Sequence, residues 1–193
     1  MKALAHPGTF AALGSVYVVT NKTTFDPLEM KNDLWAYDPL QDSWSKKRSF
    51  KGAKRENGVV LSVSDKGYYG NGQGSVWLGT KFNFTDFWEY DPITNNWIKV
   101  ANFPGSSTIG NIGFSSFGMG YVALGYDTRE LWKYDPSLNI WVQRTSWPGL
   151  ATSPLRTANL LNFAIRDRWY VVENDFDWST GQPERDLWKY VGN

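Results

Sequence analysis

The side chains best suited to chemistry in this sequence are cationic and aromatic groups scattered outside its regular patterns. Arg55, Arg129, Arg156 and Arg185 each offer a planar guanidinium fork, which suits bidentate contact with a carboxylate. Trp77, Phe82, Phe84, Phe176 and Trp178 are rings that can stack on the apolar face of a sugar or anchor a peptide. Glu173, Asp175 and Asp177 gather carboxylate oxygens of the kind hard cations prefer, but no glycine-turned loop surrounds them, so no metal site is expected. The run from Lys46 to Arg55 holds six basic residues in ten, a pattern able to meet phosphate or an acidic partner, or to form a solvated strand edge. Asn21 and Asn83 head glycosylation sequons, relevant only in a eukaryotic secretory route.

Other chemistries are closed off by composition. The chain of 193 residues has no cysteine, which removes disulfides, thiol nucleophiles and thiolate metal sites. Its single histidine, His6, leaves hydrolysis by a serine triad without a base. No glycine-rich phosphate loop opens a helix, so nucleotide chemistry has no support. Twenty basic and nineteen acidic residues give a net charge of +1, so no global field draws the chain to nucleic acid or an anionic membrane. No apolar run approaches the roughly 18 residues of a spanning helix. The opening segment breaks at His6-Pro7 before any apolar signal region, so no signal peptide is expected.

The elements that must position these groups come from a repeat. Asp33-Leu-Trp-Ala-Tyr-Asp-Pro leads to Trp44, Asp86-Phe-Trp-Glu-Tyr-Asp-Pro to Trp97, and Glu130-Leu-Trp-Lys-Tyr-Asp-Pro to Trp141; Asp186-Leu-Trp-Lys-Tyr190 is a truncated fourth copy. In each complete copy the second tryptophan follows the first by nine residues, and successive first tryptophans lie 53, 44 and 56 residues apart. Trp35 and Tyr37 are two apart and share one face of a strand, as do Trp88 with Tyr90 and Trp132 with Tyr134. Asp-Pro then starts a turn, because proline presets φ and aspartate caps the turn. Two further strands precede each hairpin, over 112–117 and 120–124 in the third repeat and over 158–165 and 169–173 in the fourth. Six residues after each second tryptophan stands an aromatic, Phe50, Phe103 or Trp147, and His6 occupies the same slot near the start. These tryptophans and tyrosines read as packing residues.

This pattern resembles the kelch repeat, and the resemblance covers essentially the whole chain. It implies an all-β, kelch-type β-propeller of four repeats of four-stranded antiparallel blades in a single domain, residues 1–193. The repeats fall near 9–48, 53–101, 106–145 and 153–193, with 1–8 able to supply a closing outer strand. The double glycine that usually ends the second kelch strand is degraded here, to Gly70-Asn-Gly72 and a lone Gly125. Kelch rings usually have six or seven blades. Four repeats therefore either close on themselves, as a monomer, or form an arc of a larger ring completed by a second copy or further sequence. The repeat style is similar to that of bacterial envelope or secreted kelch proteins, while the sequence itself does not fix the compartment.

In an up-and-down blade, the loops joining strands 2–3 and 4–1 emerge on one face. The 2–3 loops are expected over 21–32, 72–85, 126–129 and 174–185, and they differ from one another in length and content. The expectation is a non-enzymatic binding module without cofactor, recognising a protein or glycan partner through Trp77, Phe82, Phe84, Trp178, Arg55, Arg129, Arg156 and Arg185. Kelch-type copper oxidases need histidine ligands and a cysteine-crosslinked tyrosine, which this chain lacks. The alternative is a sugar-modifying enzyme of the sialic acid mutarotase kind, assembled from Arg55 with Glu56 or Arg156 with Asp167.

Overall fold

The computed structural model describes residues 7–20, 31–75, 81–125, 128–147, 160–165, 168–177 and 182–191. Every regular element among them is a strand, arranged in propeller-like antiparallel sheets. The first sheet runs in chain order through β1 (Gly8–Ala12), β2 (Ser15–Val19), β3 (Leu34–Asp38) and β4 (Ser43–Lys47). The second contains β5 (Val59–Val63), β6 (Lys66–Gly70), β9 (Phe87–Asp91) and β10 (Asn96–Val100). Between β6 and β9 a separate ribbon is inserted, β7 (Gln73–Ser75) with β8 (Lys81–Asn83). The third sheet is β11 (Ile112–Ser116), β12 (Met119–Ala123), β13 (Leu131–Asp135) and β14 (Ile140–Arg144). The fourth has three strands among the described residues, β15 (Leu160–Ile165), β16 (Arg168–Asp177) and β17 (Gln182–Val191).

The turns explain why the strands stop where they do. Asp38 Oδ1 accepts from the backbone N–H of Leu40 and Gln41 at 2.8 and 3.2 Å; Asp91 and Asp135 cap their turns in the same way. In each hairpin the strand tyrosine reaches over to the residue that closes the turn. Tyr37 donates to Asp42, Tyr90 to Asn95 and Tyr134 to Asn139, at 2.7–2.9 Å. Those three acceptors have φ of 47°, 49° and 55°, the left-handed region that Asn and Asp tolerate best among side-chain-bearing residues. The preceding hairpins turn on Leu13-Gly14, Ser64-Asp65 and Phe117-Gly118, again with positive φ at both positions, as a two-residue hairpin requires. Phe117 thus belongs to a turn, and the strand expected over 112–117 ends at Ser116.

A larger difference lies in the fourth sheet. The stretch 174–185, expected as a loop, continues the β16–β17 ladder as far as Asp177 opposite Gln182. The repeat pattern placed a divergent 2–3 loop here, but ladder hydrogen bonds use backbone groups that every non-proline residue carries, whatever its place in the pattern.

The chain divides into two compact units, Met1–Pro104 with the first two sheets and Gly105–Asn193 with the last two. In the first unit, the face of sheet one bearing Phe10, Tyr17 and Leu34 packs on the face of sheet two bearing Tyr69, Tyr90 and Trp97. Phe10 and Tyr17 stack at 4.8 Å between centroids, and both rings meet Tyr90, at 6.0 and 5.6 Å. The second unit repeats the arrangement. Phe114 and Tyr121 stack at 4.7 Å and meet Tyr190 at 5.9 and 5.7 Å. The slot aromatic closes each joint. Phe50 lies edge-on to Tyr69, Trp88 and Trp97, and Trp147 lies edge-on to Trp169. Each of these aromatics is also tied by its backbone N–H to the carbonyl before a third strand, Phe50 to Asn32, Phe103 to Thr85 and Trp147 to Arg129.

The basic run is part of this joint. Trp97 Nε1 donates to the Arg48 carbonyl at 3.0 Å, Arg48 Nη1 reaches Asn96 at 3.1 Å, and Lys51 Nζ reaches Asn96 and the Trp97 carbonyl at 2.8 and 3.1 Å. Lys46 pairs with Asp33 at 2.9 Å. Arg48 and Lys51 thus tie one sheet's exit loop to the next sheet's outer strand, while the side chains of Lys46, Arg48, Lys51 and Lys54 remain exposed, as on a solvated edge.

Candidate functional site

Arg55 organises the candidate site, from the inside. Its side chain is fully buried, and Nη1 and Nη2 each donate to one oxygen of Asp86 at 2.8 Å. Nη1 also reaches the Asn71 carbonyl and Nε the Ala53 carbonyl, at 3.0 and 3.1 Å. The guanidinium lies 4.9 Å from the Phe50 ring centroid and 4.4 Å from that of Phe84, so aromatic faces replace water on both. Burial opposes ionisation of Asp86. The hydrogen bonds from Arg55 and from Trp88 Nε1 outweigh it and hold the carboxyl below the ordinary aspartate range.

The β7–β8 ribbon is fastened to this pair. Glu56 and Gln73 exchange backbone hydrogen bonds of 2.8 and 2.9 Å, and Gln73 Nε2 donates to Glu56 Oε1 at 3.1 Å. Phe84 N–H donates to the Gly72 carbonyl at 2.9 Å. Gly74 sits beneath two rings; a Cβ there would come within 2.6 Å of Phe82 and 3.0 Å of Phe84, so only glycine lets the ribbon lie so close. Phe82 and Phe84 meet edge to face at 5.1 Å. Phe84 turns inward to Arg55, while Phe82 remains 43% exposed between the exposed Lys81 and Asn83. Lys81 Nζ lies 3.5 Å from Glu56. The ribbon therefore presents one aromatic face and one cation on a base that cannot easily rearrange.

Of the eight residues expected to bind, the structure brings together Arg55, Phe82 and Phe84. Arg129 is exposed in the second unit, two residues before β13 and next to Glu130. Arg185 stands opposite Asn174 in the β16–β17 ladder. Trp77, Arg156 and Trp178 lie outside the described residues, as do Asp167, His6 and Asn21. The register sets Glu173 opposite Asp186, Asp175 opposite Glu184 and Asp177 opposite Gln182. For the mutarotase alternative, Arg55 and Glu56 are adjacent in sequence but face different partners. Arg55 is spent on Asp86, and Glu56 on Gln73 and Lys81.

Sequence reasoning missed Asp86, although the signal was present. It occupies the repeat position of Asp33 and Glu130, two residues before a tryptophan whose indole donates back to it; Trp132 does the same to Glu130, at 3.0 Å.

No protein-family model matches the chain, and no curated protein matches it by sequence. Among solved structures it is similar to that of YjhT, with a TM-score of 0.69 and 16% identity, over 94% of this chain and 65% of that one. The likeness is one of fold. This chain spans about two thirds of the length of that structure.

Proposed function

We propose that the sheets are blades of a kelch-type β-propeller and that the chain is a non-enzymatic recognition module. It takes a protein or glycan partner through the β7–β8 ribbon. The single observation that carries this reading is Phe82, an exposed ring seated on Phe84, which is in turn seated on the buried Arg55 that Asp86 holds in place. An apolar side chain on a solvent-facing ribbon gains little for the fold, whereas a rigidly backed aromatic is the usual anchor of a binding surface. The kelch assignment is supported by the repeated Tyr-to-turn hydrogen bond in three hairpins and by the aromatic that closes each joint between sheets. The test is a screen of the folded protein against an immobilised glycan panel and a peptide library, run in parallel with Phe82→Ala. Partners retained by the native protein and lost by the variant are the expected result. Partners bound equally by both would remove the ribbon from the site.

A further inference from the structure

The inserted ribbon of the Met1–Pro104 unit ends in a strand edge. β8 pairs with β7 and with no other described strand, and Lys81, Phe82 and Asn83 are all exposed. Which backbone groups that edge offers follows from the bonds already made. Gln73 spends its N–H and its carbonyl on Glu56, and the Phe84 N–H donates to the Gly72 carbonyl across the ribbon. In an antiparallel ladder, successive residues direct their backbone groups to opposite sides. Phe84 and Phe82 therefore turn theirs towards β7, and Lys81 and Asn83 turn theirs outward. The edge presents the two donors and two acceptors that a further antiparallel strand would use.

The side chains are sorted by the same alternation. Phe82 shares one face of the ribbon with Gly74 and Phe84, the face that meets Arg55. Lys81 and Asn83 share the other with Gln73 and Glu56. A strand laid against β8 would set one side chain beside the Phe82 ring and its two neighbours beside Lys81 and Asn83. Charge on that second face is biased. Lys81 Nζ lies 3.5 Å from Glu56, longer than an ordinary hydrogen bond, and its side chain is 58% exposed, so the ammonium has room for a second carboxylate. Lys54, two residues before Glu56, is exposed as well. Asp86, the carboxyl beneath the ribbon, is closed on Arg55. A second copy of β8 would bring a further lysine, so charge favours an acidic strand from another protein.

We propose that the partner of the ribbon is an extended, acid-bearing peptide segment of another protein, added antiparallel to β8 as a third strand. This rests on the recognition reading above and names the class of its ligand. The partner residue facing Phe82 is apolar, the one facing Lys81 is Asp or Glu, and the one facing Asn83 carries a hydroxyl or an amide. Antiparallel pairing reverses the order, so the segment runs polar, apolar, acidic from its N-terminus. Backbone bonds to Lys81 and Asn83 supply affinity, and the three side-chain contacts supply the sequence preference.

Fluorescence anisotropy with a labelled nine-residue peptide carrying Thr-Val-Glu at its centre tests this. Binding is expected, and about tenfold weaker when the central Glu is replaced by Lys. N-methylation of the Thr or the Glu amide abolishes binding, because those amides donate to Asn83 and Lys81. N-methylation of the Val amide, which points away from β8, leaves it. Asn83→Pro removes an outward donor that β7 does not use, and the residue before it is already extended. Its melting temperature should hold while the peptide is lost. No binding of the Thr-Val-Glu peptide up to about 1 mM overturns the proposal. So does a methylation pattern that fails to alternate, or binding that survives Asn83→Pro in the folded variant. Glycans or unrelated peptides held by the native protein and lost on Phe82→Ala would still leave the Phe82 surface standing, so the two readings fail separately.

Discussion

Arg55 holds Asp86 with two parallel hydrogen bonds of 2.8 Å, across 31 residues of sequence, in a pocket walled by Phe50 and Phe84. The pair joins the exit loop of the first sheet to the start of β9 and supports the inserted ribbon from below. Four consequences of this arrangement and of the joints around it are open to measurement.

Removing one partner of the pair leaves the other charged and buried. Asp86→Ala should therefore destabilise the fold by about 3–5 kcal/mol, the usual penalty for an orphaned buried charge. The midpoint of urea unfolding should fall accordingly. A change below about 1 kcal/mol would mean that the Asn71 and Ala53 carbonyls suffice for Arg55.

Asp86 and Glu130 both ionise more readily in the fold than free carboxyls do. Burial works against this in each case. At Asp86 it is outweighed by Arg55 and Trp88, and at Glu130 by hydrogen bonds from Trp132 and Ser106. A depressed carboxyl pKa adds stability that is complete above the unfolded value and fades as pH falls through the folded one. Stability should thus be level at neutral pH and decline below the ordinary values of 3.8 and 4.5. The decline should be shallower in Asp86→Asn when thermal melts are followed across that range.

Trp97 and Trp44 hold the same repeat position but differ in burial. Trp97→Ala empties a closed joint and should cost about 3–5 kcal/mol. Trp44→Ala removes a half-exposed ring and should cost a small fraction of that in dilute protein. Equal losses in chemical denaturation would show that burial does not separate the two.

Phe82→Ala should leave the melting temperature almost unchanged, because the ring is 43% exposed and the Arg55–Phe84 base stays intact. Its effect should fall on binding, about 2 kcal/mol or roughly thirtyfold for an anchoring aromatic. Calorimetry with a partner recovered from the screen would measure it. Gly74→Ala offers a second handle, since the added carbon must push Phe82 and Phe84 aside.

The amino-acid sequence determined the sheets. A Tyr-Asp-Pro turn and a tryptophan nine residues after its partner are local instructions, and the strands of the first three sheets appear close to where those instructions put them. The slot aromatics were legible for the same reason, because spacing repeats whether or not its purpose is known. What tertiary structure alone decided was the fate of residues that look alike in the repeat. Nothing near Trp44 or Trp97 in sequence says which is buried. That depends on whether a neighbouring sheet lays a loop such as 48–52 across it. Arg55 likewise read as a hand open to ligand, because its acid lies 31 residues away and reaches it only when two sheets are packed. Burial and charge pairing are set by distance in space, and sequence period encodes only distance along the chain.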